Sequence, residues 1–177
     1  IDTWGTDFGF LSDGDLLRPP YSYRDPSLRE SRSDLFEKIG KQSIFDASGV
    51  AHWDAATTLY HYHWIVQNEP AVVSEADHLV MMPQLLSCML GAEPYCEATI
   101  ASTTQMMNPA TKNWATDLLA AADLPSDVLL PIDSSGTTTG TVDSERLPAE
   151  VPPPDIVLPA SHDTAAAVAG LPLDQHN

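Results

Sequence analysis

The sequence is poor in basic residues. It has 8 Lys and Arg against 25 Asp and Glu, which gives a formal net charge of −17. Such a surface repels phosphate backbones, so nucleic-acid binding is excluded as a function class. The acidity has two open interpretations: a solvated acidic face, as in proteins of salt-adapted organisms, or an acidic patch that serves a basic partner.

Cysteine and long apolar runs are also scarce. Cys88 and Cys96 form no CxxC pair and are too few for a disulfide framework, so we expect reduced thiols and a cytoplasmic protein. No signal peptide is visible. The most apolar stretch, "HLVMMPQLLSCMLGA", is short and contains Pro83 and Gln84, so it predicts no membrane span. The sequence does not indicate an oligomeric state, and a monomer is compatible with it.

What is present indicates a globular domain. Hydrophobic residues make up 43% of the 177 residues, enough for one domain with a sizeable core. The stretch "IDTWGTDFGFLSDGDLLRP" predicts two strands around an Asp13-Gly14 turn. The segment "ADHLVMM" predicts a buried strand, and "DIVLPA" predicts a short one near residue 157. Strands that alternate with helices predict an α/β or α+β domain.

Helices are predicted from apolar spacing and from capping residues. Ser27 is a candidate cap for a helix over residues 28–40, and Asp54 is one for a helix over residues 55–69 that stops at Pro70. A short helix ends at Gly49. Further helices are predicted from Pro83 to Gly91, over residues 113–125, and over residues 161–170 with Ser161 or Asp163 as the cap. The stretch 97–114 shows no clear period, and residues 132–155 predict a loop or linker.

Two stretches could carry chemistry. In "SHDTAAAVAG", Asp163 follows a strand and opens a helix, where α/β folds place ligands, so it is a candidate general base; the alternative is a helix-capping carboxylate. In "IDTWGTDFGF", Gly5 and Gly9 permit close approach of the backbone to a ligand, beside the carboxylates of Asp2 and Asp7. The alternative there is a bulged strand followed by a hairpin.

Other patterns indicate little chemistry. Asp7-Phe8-Gly9 is spelled like the magnesium motif of protein kinases, but the sequence has no Gly-rich phosphate loop and no HRD-type catalytic loop. His61 and His63 lie two residues apart on a predicted helix, so they do not face each other, and no third ligand follows at a suitable spacing. We predict surface or hydrogen-bonded core histidines and no metal site.

With these segments placed in order, the chain resembles the FGGY family of carbohydrate kinases, and within it the rhamnulokinases. The resemblance is carried by the following stretches: "IDTWGTDFGFL", "YRDP", "SGV", "TLY", "LVMMPQLLSCMLGAEPYCEATIASTTQMMNPATKNW" and "SHDTAAAV". It covers nearly all 177 residues. The order of the first and last of these stretches is specific, whereas each of them alone is weak.

The resemblance implies a function and a site. The family phosphorylates sugars with ATP and Mg²⁺, and the carried-over roles make Asp163 the catalytic base. His162 and Thr164 would flank the sugar, Gly5 would bring its backbone against it, and Trp4 would form a pocket wall. The implied substrate is a ketose, L-rhamnulose first, with fuculokinase and xylulokinase activities as alternatives. A catalytically inactive sugar-binding or interaction fragment is the remaining alternative.

The resemblance also implies a fold and a domain organisation. The family fold is a ribonuclease H-like, actin-type α/β ATPase with two domains. We expect residues 1–177 to be the central and C-terminal part of the N-terminal domain. The phosphate-loop strands and the C-terminal ATP-binding domain would be absent, so we expect no nucleotide-binding residues and no metal ligands within this stretch.

Overall fold

The computed structural model describes residues 1–26, 28–53 and 57–172. Its first element is the predicted hairpin, formed by β1 (Phe8–Ser12) and β2 (Asp15–Leu16), which pair antiparallel. Asp13 and Gly14 connect the strands with φ angles of 50° and 83°. Positive φ at both central residues is what a two-residue hairpin turn requires, and it explains the Asp-Gly pair.

Four helices follow the hairpin; the first three were predicted, and the fourth was not, because the prediction ended the helical stretch at Pro70. They are α1 (Leu28–Lys38), α2 (Lys41–Ser48), α3 (Thr58–Asn68) and α4 (Pro70–Glu75). Gly49 ends α2 with a φ of 68°, the left-handed conformation that glycine adopts at low cost. Pro70 separates α3 from α4 and becomes the first residue of α4. The predicted caps Ser27 and Asp54 lie outside the described residues.

The strand β3 (His78–Met81) completes a three-stranded sheet of order β2-β1-β3. It runs antiparallel to β1, with Phe8 opposite Met81 and Leu11 opposite His78. The helix α5 (Met82–Cys88) follows at once, with Pro83 as its second residue rather than its first. A proline is tolerated there because the amides of the first helical turn have no partner inside the helix.

Most of the apolar side chains in this part of the chain form one cluster, the main core. Its buried members are Phe8, Phe10, Leu35, Ile44, Leu59, Tyr60, Tyr62, Ile65, Val73, Leu79, Met81, Ile100, Met106, Ala115, Leu118, Leu119, Ala122, Leu124 and Val128. They come from the sheet, from the helices α1 to α4 and from the segments after residue 99. The main core therefore holds the hairpin against the helical layer.

The remaining chain is made of short elements. They are β4 (Cys96–Glu97), α6 (Ala98–Ala101), a 3-10 turn (Ser102–Thr104), β5 (Met107–Asn108), β6 (Asn113–Trp114), α7 (Thr116–Ala121), β7 (Ile132–Asp133), β8 (Thr138–Thr141), a second 3-10 turn (Ser144–Arg146), β9 (Asp155–Val157) and α8 (Asp163–Ala169). β5 pairs with β6, β7 lies parallel to β4, and β8 lies antiparallel to β9.

The prediction of a loop over residues 132–155 was wrong in part. β7 and β8 lie within it, and β8 pairs with β9 across an irregular register near Gly140. β9 contributes Ile156 to a small core of four buried residues, Ala92, Tyr95, Ile156 and Leu158. Threonine and glycine carry no apolar alternation in β8, so only its pairing with a distant segment makes it a strand.

Two further predictions made from the sequence concern the cysteines and the membrane-spanning segments. Cys88 and Cys96 are both free, as expected. No helix in the described ranges combines the length and the apolar character needed to cross a membrane.

Candidate functional site

The first residues of the chain lie beside the start of α8. The amide of Thr3 donates to the carbonyl of Ser161 at 3.0 Å, and the amide of Asp163 donates to the carbonyl of Thr3 at 2.9 Å. These bonds form a parallel bridge between Thr3 and His162. Because Trp4 follows Thr3 directly, the two segments that contain all the predicted site residues are neighbours in the fold.

Asp163 presents an exposed carboxylate at this junction. It is the first residue of α8, and His162 occupies the capping position, so the prediction of Ser161 or Asp163 as the cap was wrong. Ser161 is held in the bridge to Thr3 by a backbone hydrogen bond, and Asp163 already lies inside the helix. Asp163 Oδ1 instead accepts hydrogen bonds from the amide of Thr164 at 2.6 Å and from its hydroxyl at 3.2 Å.

His162 and Thr164 flank this carboxylate in the chain and contact it. His162 Nε2 lies 3.4 Å from Asp163 Oδ1, and both side chains are partly open to solvent. Thr164 is exposed. A solvent-facing carboxylate between an imidazole and a hydroxyl can accept a proton and also bind a polyhydroxylated ligand.

Trp4 and Asp7 form a second polar contact of the site. Trp4 is 47% exposed, and its indole nitrogen donates to Asp7 Oδ2 at 3.0 Å. The amide of Tyr23 donates to Asp7 Oδ1 at 2.9 Å. Burial raises the pKa of Asp7, and the hydrogen bonds from Trp4 and Tyr23 offset only part of that rise. Asp7 therefore holds the exposed ring of Trp4 in one orientation. The similarity of Asp7-Phe8-Gly9 to the magnesium motif of protein kinases does not indicate this role.

Gly5 lies where a side chain does not fit. A Cβ atom on Gly5 would stand 2.7 Å from the hydroxyl oxygen of Thr103 and 2.8 Å from its Cβ. The next residue, Thr6, has a φ of 83°, and the amide of Asp7 donates to the carbonyl of Gly5 at 3.2 Å across it. A β-branched residue in this conformation is strained, and such strain clusters at functional sites.

Glu97 is a site residue that sequence reasoning missed. Its carboxylate is buried and accepts four hydrogen bonds: from the hydroxyls of Thr99 and Ser135, and from the amides of Ile100 and Ser161. Burial raises the pKa of Glu97, but the hydrogen bonds from Thr99, Ser135 and Ser161 outweigh it and leave the pKa below its usual range. The local sequence held no signal for it, because its partners Ser135 and Ser161 lie far along the chain.

The two helix histidines have different environments. His63 is a hydrogen-bonded core residue, as predicted, with its Nδ1 2.7 Å from the hydroxyl of Ser31. His61 is also buried, but neither of its ring nitrogens has a hydrogen-bond partner among the described residues, so the prediction of a hydrogen-bonded histidine was wrong there. Its ring packs against Phe8 and Tyr21 at centroid distances of 4.9 and 6.0 Å. Burial lowers the pKa of His61 to about 4.

Comparison with known sequences finds both a matching protein family and similar individual proteins. The family model of the N-terminal domain of FGGY carbohydrate kinases matches residues 11–170. A rhamnulokinase of Bacteroides thetaiotaomicron is 33% identical over 182 residues, and one of Oceanobacillus iheyensis is 30% identical over 178 residues. Each of these alignments covers 100% of this chain and 37% of the relative, so the chain spans little more than a third of these curated relatives.

Comparison with solved structures gives the fold. A xylulose kinase from Rhodospirillum rubrum superposes with a TM-score of 0.78 at 19% identity, over 93% of this chain and 35% of that one. The glycerol kinase of Plasmodium falciparum, solved with ADP, superposes with a TM-score of 0.72 at 18% identity, over 89% of this chain and 32% of that one. The predicted fold class is confirmed: the mixed helices and strands have the actin-type fold of these sugar kinases.

Proposed function

This chain belongs to the FGGY family of carbohydrate kinases, and on that basis we propose that the full-length gene product transfers the γ-phosphoryl group of ATP to a hydroxyl group of a ketose. The observation that carries the proposal is the pairing of Thr3 with Ser161 and Asp163. It sets the exposed Trp4 and the close-packed Gly5 beside an exposed carboxylate at a helix start. A sugar kinase needs these features together: a wall for the sugar ring and a proton acceptor near the reacting hydroxyl.

The substrate that we propose is L-rhamnulose, converted to L-rhamnulose 1-phosphate in rhamnose catabolism. Support comes from the curated relatives, which are rhamnulokinases that align with the whole of this chain. Fuculose and xylulose are the alternatives, and xylulose kinases are among the proteins that share the fold.

In the proposed reaction, Asp163 accepts the proton of the sugar hydroxyl. The hydroxyl oxygen then forms a bond to the γ-phosphorus of ATP, and the bond from that phosphorus to the β,γ-bridging oxygen breaks, which releases ADP. We assign the sugar contacts to the indole of Trp4, the backbone of Gly5 and the side chains of His162 and Thr164. Support for Asp163 as the base is its exposure and its position between His162 and Thr164.

We assign only the sugar side of the reaction to this chain. ADP is present in the structure of the glycerol kinase that shares the fold, which supports ATP as the phosphoryl donor. Magnesium is expected with ATP, but the described residues contain no group of three or more His, Cys, Asp or Glu side chains that could hold a metal ion. We therefore propose that residues 1–177 are the central and C-terminal part of the N-terminal domain, with the nucleotide and its metal bound elsewhere in the full-length protein.

The test is a coupled assay of ADP formation by the full-length gene product. It is run with rhamnulose, fuculose, xylulose and ribulose, first with the wild type and then with Asp163→Asn. We expect rhamnulose to give the highest kcat/KM, and Asp163→Asn to lower kcat by about a thousandfold. Asp155→Asn, which changes an exposed aspartate of β9, is the control and should keep kcat within about twofold. Lack of stimulation by every sugar, or full activity of Asp163→Asn, would refute the proposal.

For the 177-residue chain taken by itself, we propose sugar binding without phosphoryl transfer. The sugar-facing segments pair within it, and its described part contains no metal-ligand cluster. Calorimetric titration with L-rhamnulose should show binding, and titration with ATP should show none. Tight ATP binding would contradict this assignment.

A further inference from the structure

Glu97 carries a buried negative charge that is neutralised by no cation in the described part of the chain. No Lys, Arg or His there lies within ion-pair distance of it. Its side chain is instead surrounded by neutral donors, two hydroxyls and two amides, and it is completely inaccessible to solvent. Burying a charge is unfavourable unless its hydrogen bonds are satisfied, so a carboxylate kept in such a place needs a specific role.

The hydrogen bonds of Glu97 lead to the residues that precede Asp163. Glu97 Oε2 accepts from the amide of Ser161 at 3.0 Å and from the hydroxyl of Thr99 at 2.6 Å. That same hydroxyl accepts from the amide of His162 at 3.2 Å. Two successive amides are therefore fixed by one carboxylate, the first directly and the second through Thr99.

The segment 161–163 is also held from its other side. Thr3 accepts the amide of Asp163 and donates to the carbonyl of Ser161, at 2.9 and 3.0 Å. The three amides that lead into α8 are consequently all engaged, two by the Glu97–Thr99 pair and one by Thr3, which precedes Trp4 and Gly5. The position of His162 and Asp163 relative to Thr3 is therefore fixed by hydrogen bonds from two sides.

We propose that Glu97, acting with Thr99, is a positioning residue that fixes His162 and Asp163 for phosphoryl transfer, an inference that rests on the proposed function. A carboxylate suits this position because it has acceptors only, and every group around it donates. An isosteric amide would turn its own donor toward one of these donors and would move the segment. Displacement of a reacting group by about 1 Å can lower a rate by about a hundredfold.

The first test compares Glu97→Gln with Glu93→Gln in the full-length gene product. Glu93 is an exposed carboxylate four residues away, so its variant controls for charge in the same region. We expect Glu97→Gln to lower kcat by about 10- to 100-fold while the KM for the sugar stays within about threefold. Glu93→Gln should leave both constants unchanged. Equal kcat values for the two variants would overturn the proposal.

The second test separates positioning from simple loss of structure. Thr99→Val keeps the shape of the side chain but removes the hydroxyl that joins Glu97 to His162, and we expect kcat to fall about tenfold. Thr99→Ser restores the hydroxyl, and with it most of the activity. If both variants lose the same activity, or if neither does, the hydroxyl has no positioning role and the proposal fails. This pair also decides the matter if Glu97→Gln does not fold.

Hydrogen exchange in the wild-type protein gives a readout that does not depend on turnover. The amides of Ser161 and His162 should exchange slowly, because Glu97 and Thr99 accept them, and fast exchange of both would overturn the proposal. Turnover that requires Asp163 but is indifferent to Glu97 would refute this inference alone. Absence of turnover with every sugar would refute the proposed function, and this inference with it.

Discussion

The main core and the region after residue 131 are built in different ways. The first is a layer of helices with buried apolar faces packed on a three-stranded sheet. The second consists of the short strands β7 to β9, proline-containing connections and α8, which has no buried residue. Its small core has four buried residues, and two of them, Ala92 and Tyr95, come from earlier in the chain. The candidate site lies where the two regions meet, since Thr3 precedes the first region and Asp163 belongs to the second.

Because of this difference, we expect the first region to determine the stability of the protein and the second to determine the geometry of the candidate site. The helices of the first region follow from local apolar spacing, and their buried faces pack together with the sheet in one large core. The C-terminal region depends on pairings with partners that lie far away in sequence: β8 with β9, Ser135 and Ser161 with Glu97, and residue 162 with Thr3. We therefore expect substitutions in the helical region to change stability most, and substitutions in the second region to change the site.

The largest expected effect comes from the same substitution, leucine to alanine, made separately in each region. Leu35 in the main core and Leu158 in the small core are both almost completely buried, so Leu35→Ala and Leu158→Ala remove the same atoms from different surroundings. We expect Leu35→Ala to lower the free energy of unfolding by about 4 kcal/mol and Leu158→Ala by about 2–3 kcal/mol, because a small cluster collapses more easily around a cavity. Urea unfolding measures both values, and equal losses would remove the distinction between the two regions.

The next effect is a pH dependence within the main core. Burial lowers the pKa of His61 from 6.5 to about 4, so the unfolded chain binds the proton more readily between these values. Stability should therefore fall as the pH falls from about 6.5 to 4, by about 3 kcal/mol for this residue. His63, whose pKa is also lowered by burial, contributes in the same direction.

His61→Phe tests the source of this pH dependence. Phenylalanine keeps the packing on Phe8 and Tyr21 and cannot be protonated, and His61 has no hydrogen bond to lose among the described residues. The variant should lose markedly less stability than the wild type between pH 6.5 and 4, measured by urea unfolding. Tyr62→Phe, on the next residue of the same helix, removes no group that titrates between pH 4 and 6.5 and should leave the slope unchanged. The idea fails if the two variants have the same slope.

At the junction of the two regions, Gly5→Ala should cost about 2 kcal/mol. The new methyl group would clash with Thr103, and such overpacking is typically unfavourable by about 1–3 kcal/mol. Thermal and urea unfolding measure the loss. In the double variant Gly5→Ala with Thr103→Ala, two of the three close atoms are gone, so part of the loss should be recovered. Strictly additive effects would show that the contact with Thr103 does not explain the glycine.

The smallest expected effect concerns one hydrogen bond between the regions. Ser135→Ala removes the hydroxyl that donates to Glu97 Oε1 at 2.7 Å, and we expect a loss of about 1 kcal/mol in unfolding free energy. Ser134→Ala, next to it, removes a hydroxyl for which the described residues show no such bond and should have almost no effect. Indistinguishable variants would mean that this link between the regions does not contribute to stability.

The sequence predicted the helical region because its signals are local. Asp13-Gly14, Gly49 and Pro70 each specify a turn or a helix boundary through their own backbone preferences. The strand β8 could not be found in this way, because "TTGT" has no apolar alternation and contains a glycine, which weakens the strand preference of its threonines. The resemblance to a family named Trp4, Gly5 and Asp163 as site residues, and the fold places their segments side by side.

The sequence did not reveal the residues that hold the candidate site in place through hydrogen bonds. Glu97 belongs to a stretch without a clear period, and its importance arises from Ser161, which lies far along the chain. Asp7 was interpreted as a carboxylate beside a possible ligand, and its contacts in the structure are Trp4 and the amide of Tyr23. A buried carboxylate that accepts several amides is a property of tertiary structure, and neither propensity nor spacing contains it.

The bridge between Thr3 and His162 has a consequence for folding kinetics. It joins residues near opposite ends of the 177-residue sequence, so closing it fixes a very long loop, and contacts of such large sequence separation form late. On the ribosome, Trp4 and Gly5 emerge long before their partners. The hairpin and the helices can fold first, and the site can be completed only after residues 161–163 have been synthesised and have docked against Thr3 and Glu97.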